Sequence, residues 1–97
     1  MTYRVRVRSV ALQELTEATD WYSARSPQAA RRFLATIEAT LDRLARDAGR
    51  FPVLHLDIRR VTVPGFPYGI YYRILGSECH VIALLHARRH PRRWQRR

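Results

Sequence analysis

The stretch Tyr68-Gly69-Ile70-Tyr71-Tyr72-Arg73-Ile74-Leu75, then Gly76-Ser77, then Glu78-Cys79-His80-Val81-Ile82-Ala83-Leu84-Leu85 reads as two strands around a tight turn. Tyr68, Ile70, Tyr72 and Ile74 recur at period two, which places them on one face of a strand. Tyr71 and Arg73 then fall on the opposite face. From Cys79 to Leu85 the run is apolar on both faces, with Val81, Ala83 and Leu85 alternating against Ile82 and Leu84. That is the pattern of a central strand. Upstream, Pro64-Gly65-Phe66-Pro67 marks another turn, and Ile58 to Val63 carries β-branched residues around Arg59 and Arg60. Three strands joined by short turns form an antiparallel meander.

The first half of the chain has a different period. Tyr3, Val5 and Val7 alternate with Arg4, Arg6 and Arg8, a strand with one buried face. Ser9 is a candidate N-cap for a helix in which Ala11, Leu15, Ala18 and Tyr22 share a stripe flanked by Leu12 and Trp21. That helix is expected to fade near Ala24. Ser26-Pro27 restarts the chain, serine at the cap and proline in the first turn. Phe33, Ile37, Leu41 and Leu44 stripe a second helix, with Gly49 and Pro52 as stop signals. The expected architecture is α+β, in the order β-α-α-β-β-β. An antiparallel sheet carries the helical hairpin on one face. The open face is expected to display Arg4, Arg6 or Arg8 together with Tyr71 and Arg73, a candidate binding surface.

Length and composition bound the rest. Ninety-seven residues make one domain, 1–97, ending in a basic tail at 87–97. At 46% hydrophobic residues the chain has the material for a core. A single cysteine, Cys79, excludes an internal disulfide framework and fits a reducing compartment. No stretch approaches the roughly 20 apolar residues of a membrane span, and no secretory leader pattern is visible. A cytoplasmic location is expected, with no membrane association. Net charge is +10, and all eighteen basic residues are arginines. Arginine-only usage reads most simply as compositional drift, yet guanidinium forks match phosphate and carboxylate oxygens and hold their protons at neutral pH. The partners expected for such a surface are nucleic acid, an enzyme of nucleic acid, or an acidic protein.

Few motifs carry chemistry. His80, His86 and His90 have neither paired cysteines nor helical ligand spacing beside them, so no metal is expected, and no cofactor. There is no phosphate-binding glycine loop and no serine in a nucleophile elbow. Cleavage of RNA through its 2′-hydroxyl needs a proton carrier and cations for the developing charge. The candidates are His86, Arg73 and Arg59, while Asp57 and Glu78 read as turn residues. The tail Arg88, Arg89, Arg92, Arg93, Arg96 and Arg97 surrounds Trp94 and has two readings. Arginines interleaved with an aromatic ring bind nucleic acid, or Trp94 folds back on the sheet and the arginines are solvated.

In their order and spacing these elements resemble the RelE/ParE toxin superfamily. The resemblance spans nearly the whole chain. It rests on Ala11-x-x-Glu14-Leu15 with Trp21-Tyr22, and on Ser26-Pro27-x-Ala29-Ala30-x-x-Phe33. It continues through Ile58-Arg59-x-Val61, Tyr68-Gly69-Ile70-Tyr71-Tyr72-Arg73-Ile74 and the ending Leu85-His86-Ala87-Arg88-Arg89-His90-Pro91 with Trp94. That ending is similar to the close of the ParE-like branch. The resemblance implies the toxin of a type II toxin–antitoxin pair, silenced by a cognate acidic antitoxin. ParE-like members poison DNA gyrase without catalytic residues of their own. RelE-like members cleave messenger RNA on the ribosome with a lysine-rich patch. This chain has no lysine, so a gyrase-binding toxin is the preferred expectation. A ribosome-dependent endoribonuclease, or a member that only binds its antitoxin, are the alternatives. On the preferred expectation the target-binding residues are Arg88, Arg89, Arg92, Arg93 and Trp94, with Tyr71 and Arg73 on the open face.

Overall fold

A computed structural model describes residues 2–89 and 92–97. His90 and Pro91, part of the closing motif, lie outside them. The elements are β1 (Arg4–Val7), α1 (Ser9–Ser23), α2 (Pro27–Asp47), β2 (Val53–His55), β3 (Ile58–Thr62), β4 (Tyr68–Leu75) and β5 (Glu78–His86). Short 3₁₀ turns follow α2 at Ala48–Arg50 and close the chain at Arg93–Arg96.

Ser26 caps α2 as its sequence implies, its hydroxyl accepting from the Ala29 N–H at 3.2 Å, with Pro27 in the first turn. Ser9 does not cap α1. The cap position falls on Arg8, whose side chain makes no capping bond, and Ser9 is already helical. α2 ends through the 3₁₀ turn and not through a left-handed glycine. Gly49 instead allows close approach, since a Cβ there would stand 3.2 Å from the Tyr3 hydroxyl.

The helices cover one face of a five-stranded sheet ordered β1-β5-β4-β3-β2. Two particulars differ from the expectation, and one causes the other. The three-residue strand β2 was not anticipated, and β1 pairs with β5 in parallel, so the sheet is mixed. Each short link reverses chain direction. Without β2, an odd number of reversals would separate β1 from β5 and make them antiparallel; the β2–β3 hairpin adds one more. β2 is too short and too exposed to show a period, with Val53, Leu54 and His55 all at the surface.

The main core joins Phe33, Ile37 and Leu44 of α2 and Ala11 and Ala18 of α1 to Ile70, Tyr72, Cys79 and Val81 of the sheet. Tyr72 therefore faces the helices with Tyr68 and Ile70, as its apolar company implies. Its hydroxyl donates to the Ala48 carbonyl, fixing the 3₁₀ turn to the sheet. A bulge shifts the register where Tyr71 pairs with Ala83 and Tyr72 with Val81. It changes the phase of β5, so Ile82, Ala83 and Leu85 join a second cluster with Ile58, Tyr71 and Trp94.

Candidate functional surface on the open face and the C-terminal turn

The second cluster revises the reading of the open face. Tyr71 does point away from the helices, yet it is only 2% exposed. Trp94, 6% exposed, lies over it as a stacked ring pair 5.0 Å apart at 13°, with His55 against the indole at 6.1 Å. Of the two readings of the tail, the folded-back one holds for Trp94. The ring belongs to the packing of the sheet, and Arg88, Arg89, Arg92 and Arg93 stand exposed around it. Period two identifies the face of a strand but says nothing of a distant segment that returns to cover it. Tyr71 was therefore legible as outward and illegible as buried.

A second tie holds this turn. Arg97 donates through Nη1 to Glu14 Oε1 at 2.7 Å and through Nη2 to Oε2 at 2.8 Å, a two-point fork. Arg97 Nη1 also reaches the Ile82 carbonyl at 3.1 Å, and Glu14 Oε1 accepts from the Leu84 N–H at 3.1 Å. β1 pairs with β5 only as far as Val81. Beyond that residue the β5 edge has no neighbouring strand among the described residues, and the Glu14–Arg97 pair supplies both an acceptor and a donor to it. Glu14 carries one signal in the sequence, an acid at a position of the first helix that packs on the sheet.

The three ribonuclease candidates are not brought together. Arg59 pairs with Tyr72 and so lies on the helix side, donating to the Gly49 and Phe51 carbonyls at 3.2 and 2.7 Å. Arg73 lies on the open side, bridged to Asp57 at 3.0 Å, and its Nε is buried without a partner. His86 pairs across with Tyr68, five positions along β4 from Arg73 and about 17 Å away. His86 Nδ1 accepts from the Arg88 N–H at 3.1 Å, and its ring meets Tyr68 edge-on at 5.4 Å.

A different histidine does meet a carboxylate. Arg6, His80 and Arg73 are register partners across β1, β5 and β4 on the open face. Glu78 lies 2.9 Å from His80 Nε2 and accepts from Arg6 Nε at 2.8 Å, while Arg8 Nη2 stands 3.5 Å from His80 Nδ1. Hydrogen bonds from Arg6 first, and from His80, hold the Glu78 carboxyl below the usual carboxylate range. Glu78, a turn residue by its place in the sequence, is the first residue of β5 and partners His80. The i, i+2 spacing of Glu78 and His80 on one strand was the signal that could have found this pair.

A model of the family described as the ParE toxin of type II toxin–antitoxin systems, parDE, matches residues 5–91. The chain belongs to this family. Toxin RelE1 of Caulobacter vibrioides is 33% identical to this toxin over 88 residues, covering 89% of the chain and 95% of that relative. The chromosomal ParDE toxin–antitoxin system from P. aeruginosa shares the toxin's fold. The TM-score is 0.78 at 18% identity, over 88% of this chain and 96% of that one. A matching fold at such identity speaks to architecture alone, and function has to come from the site. Among the described residues, no helix of this ParE-family toxin is long and apolar enough to cross a membrane.

Proposed function

We propose that this toxin poisons DNA gyrase by binding it, and that an acidic antitoxin neutralises it. The observation that carries the reading is the C-terminal turn. A buried Trp94–Tyr71 stack and the Glu14–Arg97 fork tie to the sheet the C-terminal segment that carries four exposed arginines, Arg88, Arg89, Arg92 and Arg93. A surface that works by complementarity needs fixed charges and no proton transfer, and arginine supplies only the former. His86, Arg73 and Arg59, the residues that chemistry would need, point to separate places. Purified toxin added to gyrase should block supercoiling, and the same toxin should leave transcripts uncut in cells. Its association with the product of the adjacent antitoxin gene should slow as salt rises from about 50 to 500 mM, because opposite charges steer the encounter. A rate that is flat across that range would remove the acidic partner from the reading.

One observation favours a second reading, a ribosome-dependent endoribonuclease. The His80–Glu78 pair, with Arg6, Arg8 and Arg73 beside it, sets a proton carrier among cations on the open face. Transcript cutting that disappears in His80→Ala, with supercoiling untouched, would establish it in place of gyrase binding. A chain that does neither and still binds its antitoxin would be a member without a target.

A further inference from the structure

Between α1 and the C-terminal turn lies a half-open cleft of about 240 Å³, lined in part by His86 and by Arg89 and Arg93, two of the four arginines of the proposed target surface. Its floor is apolar, formed by Ala18, Leu84 and Leu85, all buried. Trp21 forms one wall and remains 38% exposed. Arg89 and Arg93 stand at the rim, with Glu17 on the helix side. The acid at the inner end, Glu14, is already neutralised by Arg97.

The size decides what kind of occupant fits. Pockets that enclose whole small ligands run from about 300 to 1,000 Å³. This cleft is smaller and open along one side, which suits a single side chain of a larger partner. Partly exposed tryptophans beside arginines are typical anchors of such contacts. The charges decide the partner's character. Two guanidiniums lie over the Trp21 ring, Arg25 at 3.5 Å and Arg89 at 5.4 Å from its centroid. A nucleic-acid base could stack on Trp21 only by displacing one of these guanidiniums, whereas a side chain resting on the apolar floor displaces neither. A guanidinium lying on a ring keeps its N–H donors in its own plane, directed outward at the geometry of a carboxylate. Glu17 repels acid from the helix side, so a partner's carboxylates belong on the side of Arg89 and Arg93.

We infer that this cleft takes one apolar or aromatic side chain from an acidic polypeptide segment, whose neighbouring carboxylates rest on Arg89 and Arg93. The inference rests on the reading of an acidic protein partner and assigns it a landing site.

The toxin's two tryptophans provide the test. In ¹⁵N-labelled toxin the indole N–H signals of Trp21 and Trp94 report the cleft and the open face separately. The probe is the blocked pentapeptide Glu-Glu-Phe-Glu-Glu, with versions carrying alanine for phenylalanine or lysine for every glutamate. The acidic phenylalanine peptide should move the Trp21 indole and the Leu84 and Leu85 amides while Trp94 stays in place. Affinity should fall at least tenfold with the alanine peptide, with the lysine peptide, and in the Arg89→Glu/Arg93→Glu toxin. Both arginines are exposed, so that variant should keep the wild-type spectrum elsewhere. Equal binding of the alanine peptide would reduce the effect to general charge attraction and overturn the inference. So would shifts centred on another surface, or adenosine monophosphate perturbing the same residues more tightly than the peptide. If the antitoxin binds the double variant as tightly as wild type, the acidic partner stands and the cleft does not.

Discussion

The Trp94 indole lies nearly parallel to the Tyr71 ring, 5.0 Å away, and covers the Tyr71 end of the sheet face that the helices leave open. The two residues are 23 positions apart in sequence, and their contact converts an outward strand position into a core position. Removing either ring should therefore unfold the same cluster. Trp94→Ala and Tyr71→Ala should each cost about 3–5 kcal/mol, the range for large aromatic truncations. The double variant should cost less than the sum, because the partners share one contact. Urea denaturation measures this, and a Trp94→Ala protein as stable as wild type would place the turn off the sheet.

How much of this could be read from the sequence follows from which interactions are local. The alternation in β4 and the stripe of α2 were legible because each residue's environment repeats within its own element. The Ser26 cap was legible because its bond is made three residues away. The parallel β1–β5 pairing was not, since it depended on one short surface strand, β2, that carries no period. The burial of Tyr71 and Glu14 was not legible either. Both depend on Trp94 and Arg97, in a basic tail whose composition alone suggests a solvated end. At the candidate site the exposed arginines were found by composition, whereas the His80–Glu78 pair needed the register of three strands.

Cys79 gives a pH signature to the core. Burial pushes its thiol up to about 12 from an ordinary value near 9, and burial likewise raises the Tyr72 hydroxyl. The unfolded chain then loses the Cys79 proton at a lower pH than the folded one. The stabilisation is complete below about pH 9 and is lost as pH rises toward 12. Tyr72 adds to the decline only above about pH 10. Between pH 8 and 10 the urea midpoint of wild type should fall, and that of Cys79→Ala should stay flatter, although its value at pH 8 is lower because of the cavity. Parallel curves for the two proteins would show that the thiol titrates normally.

Arg97 can be tested apart from the target-binding arginines. Arg97→Ala strips the fork from Glu14, which is only 9% exposed, and leaves the Ile82 carbonyl without this donor. Breaking a buried pair costs about 3–5 kcal/mol. The lower end is expected, since a fifth of the Arg97 side chain is exposed. Glu14→Gln in the same background should recover part of the loss by removing the uncompensated charge while keeping an acceptor for the Leu84 N–H. A single variant Arg97→Ala that unfolds at the wild-type urea concentration would mean that the fork forms no part of the folded ground state.

The mechanism turns on whether any side chain must exchange a proton. If the toxin acts on gyrase by complementarity, His86→Ala should inhibit supercoiling and cell growth much as wild type does, provided the β5 end stays folded. Reversing the charge of Arg88, Arg89, Arg92 and Arg93 together should abolish both effects. Those four are exposed, and surface changes of this kind usually shift stability by less than about 0.5 kcal/mol each. A soluble protein with a wild-type melting curve and no toxicity is thus the expected outcome. If RNA is cut instead, removing the general acid or base should cost about 100- to 10,000-fold in rate. That loss should appear in His80→Ala, because His80 has Glu78 at 2.9 Å and arginines on the neighbouring strands, whereas the His86 Nδ1 is occupied by the Arg88 N–H. Following transcript ends and plasmid supercoiling in the same cells separates the cases. Toxicity that survives the fourfold reversal but disappears with His80 would reject gyrase binding through the C-terminal turn and move the chemistry to the open face of the sheet.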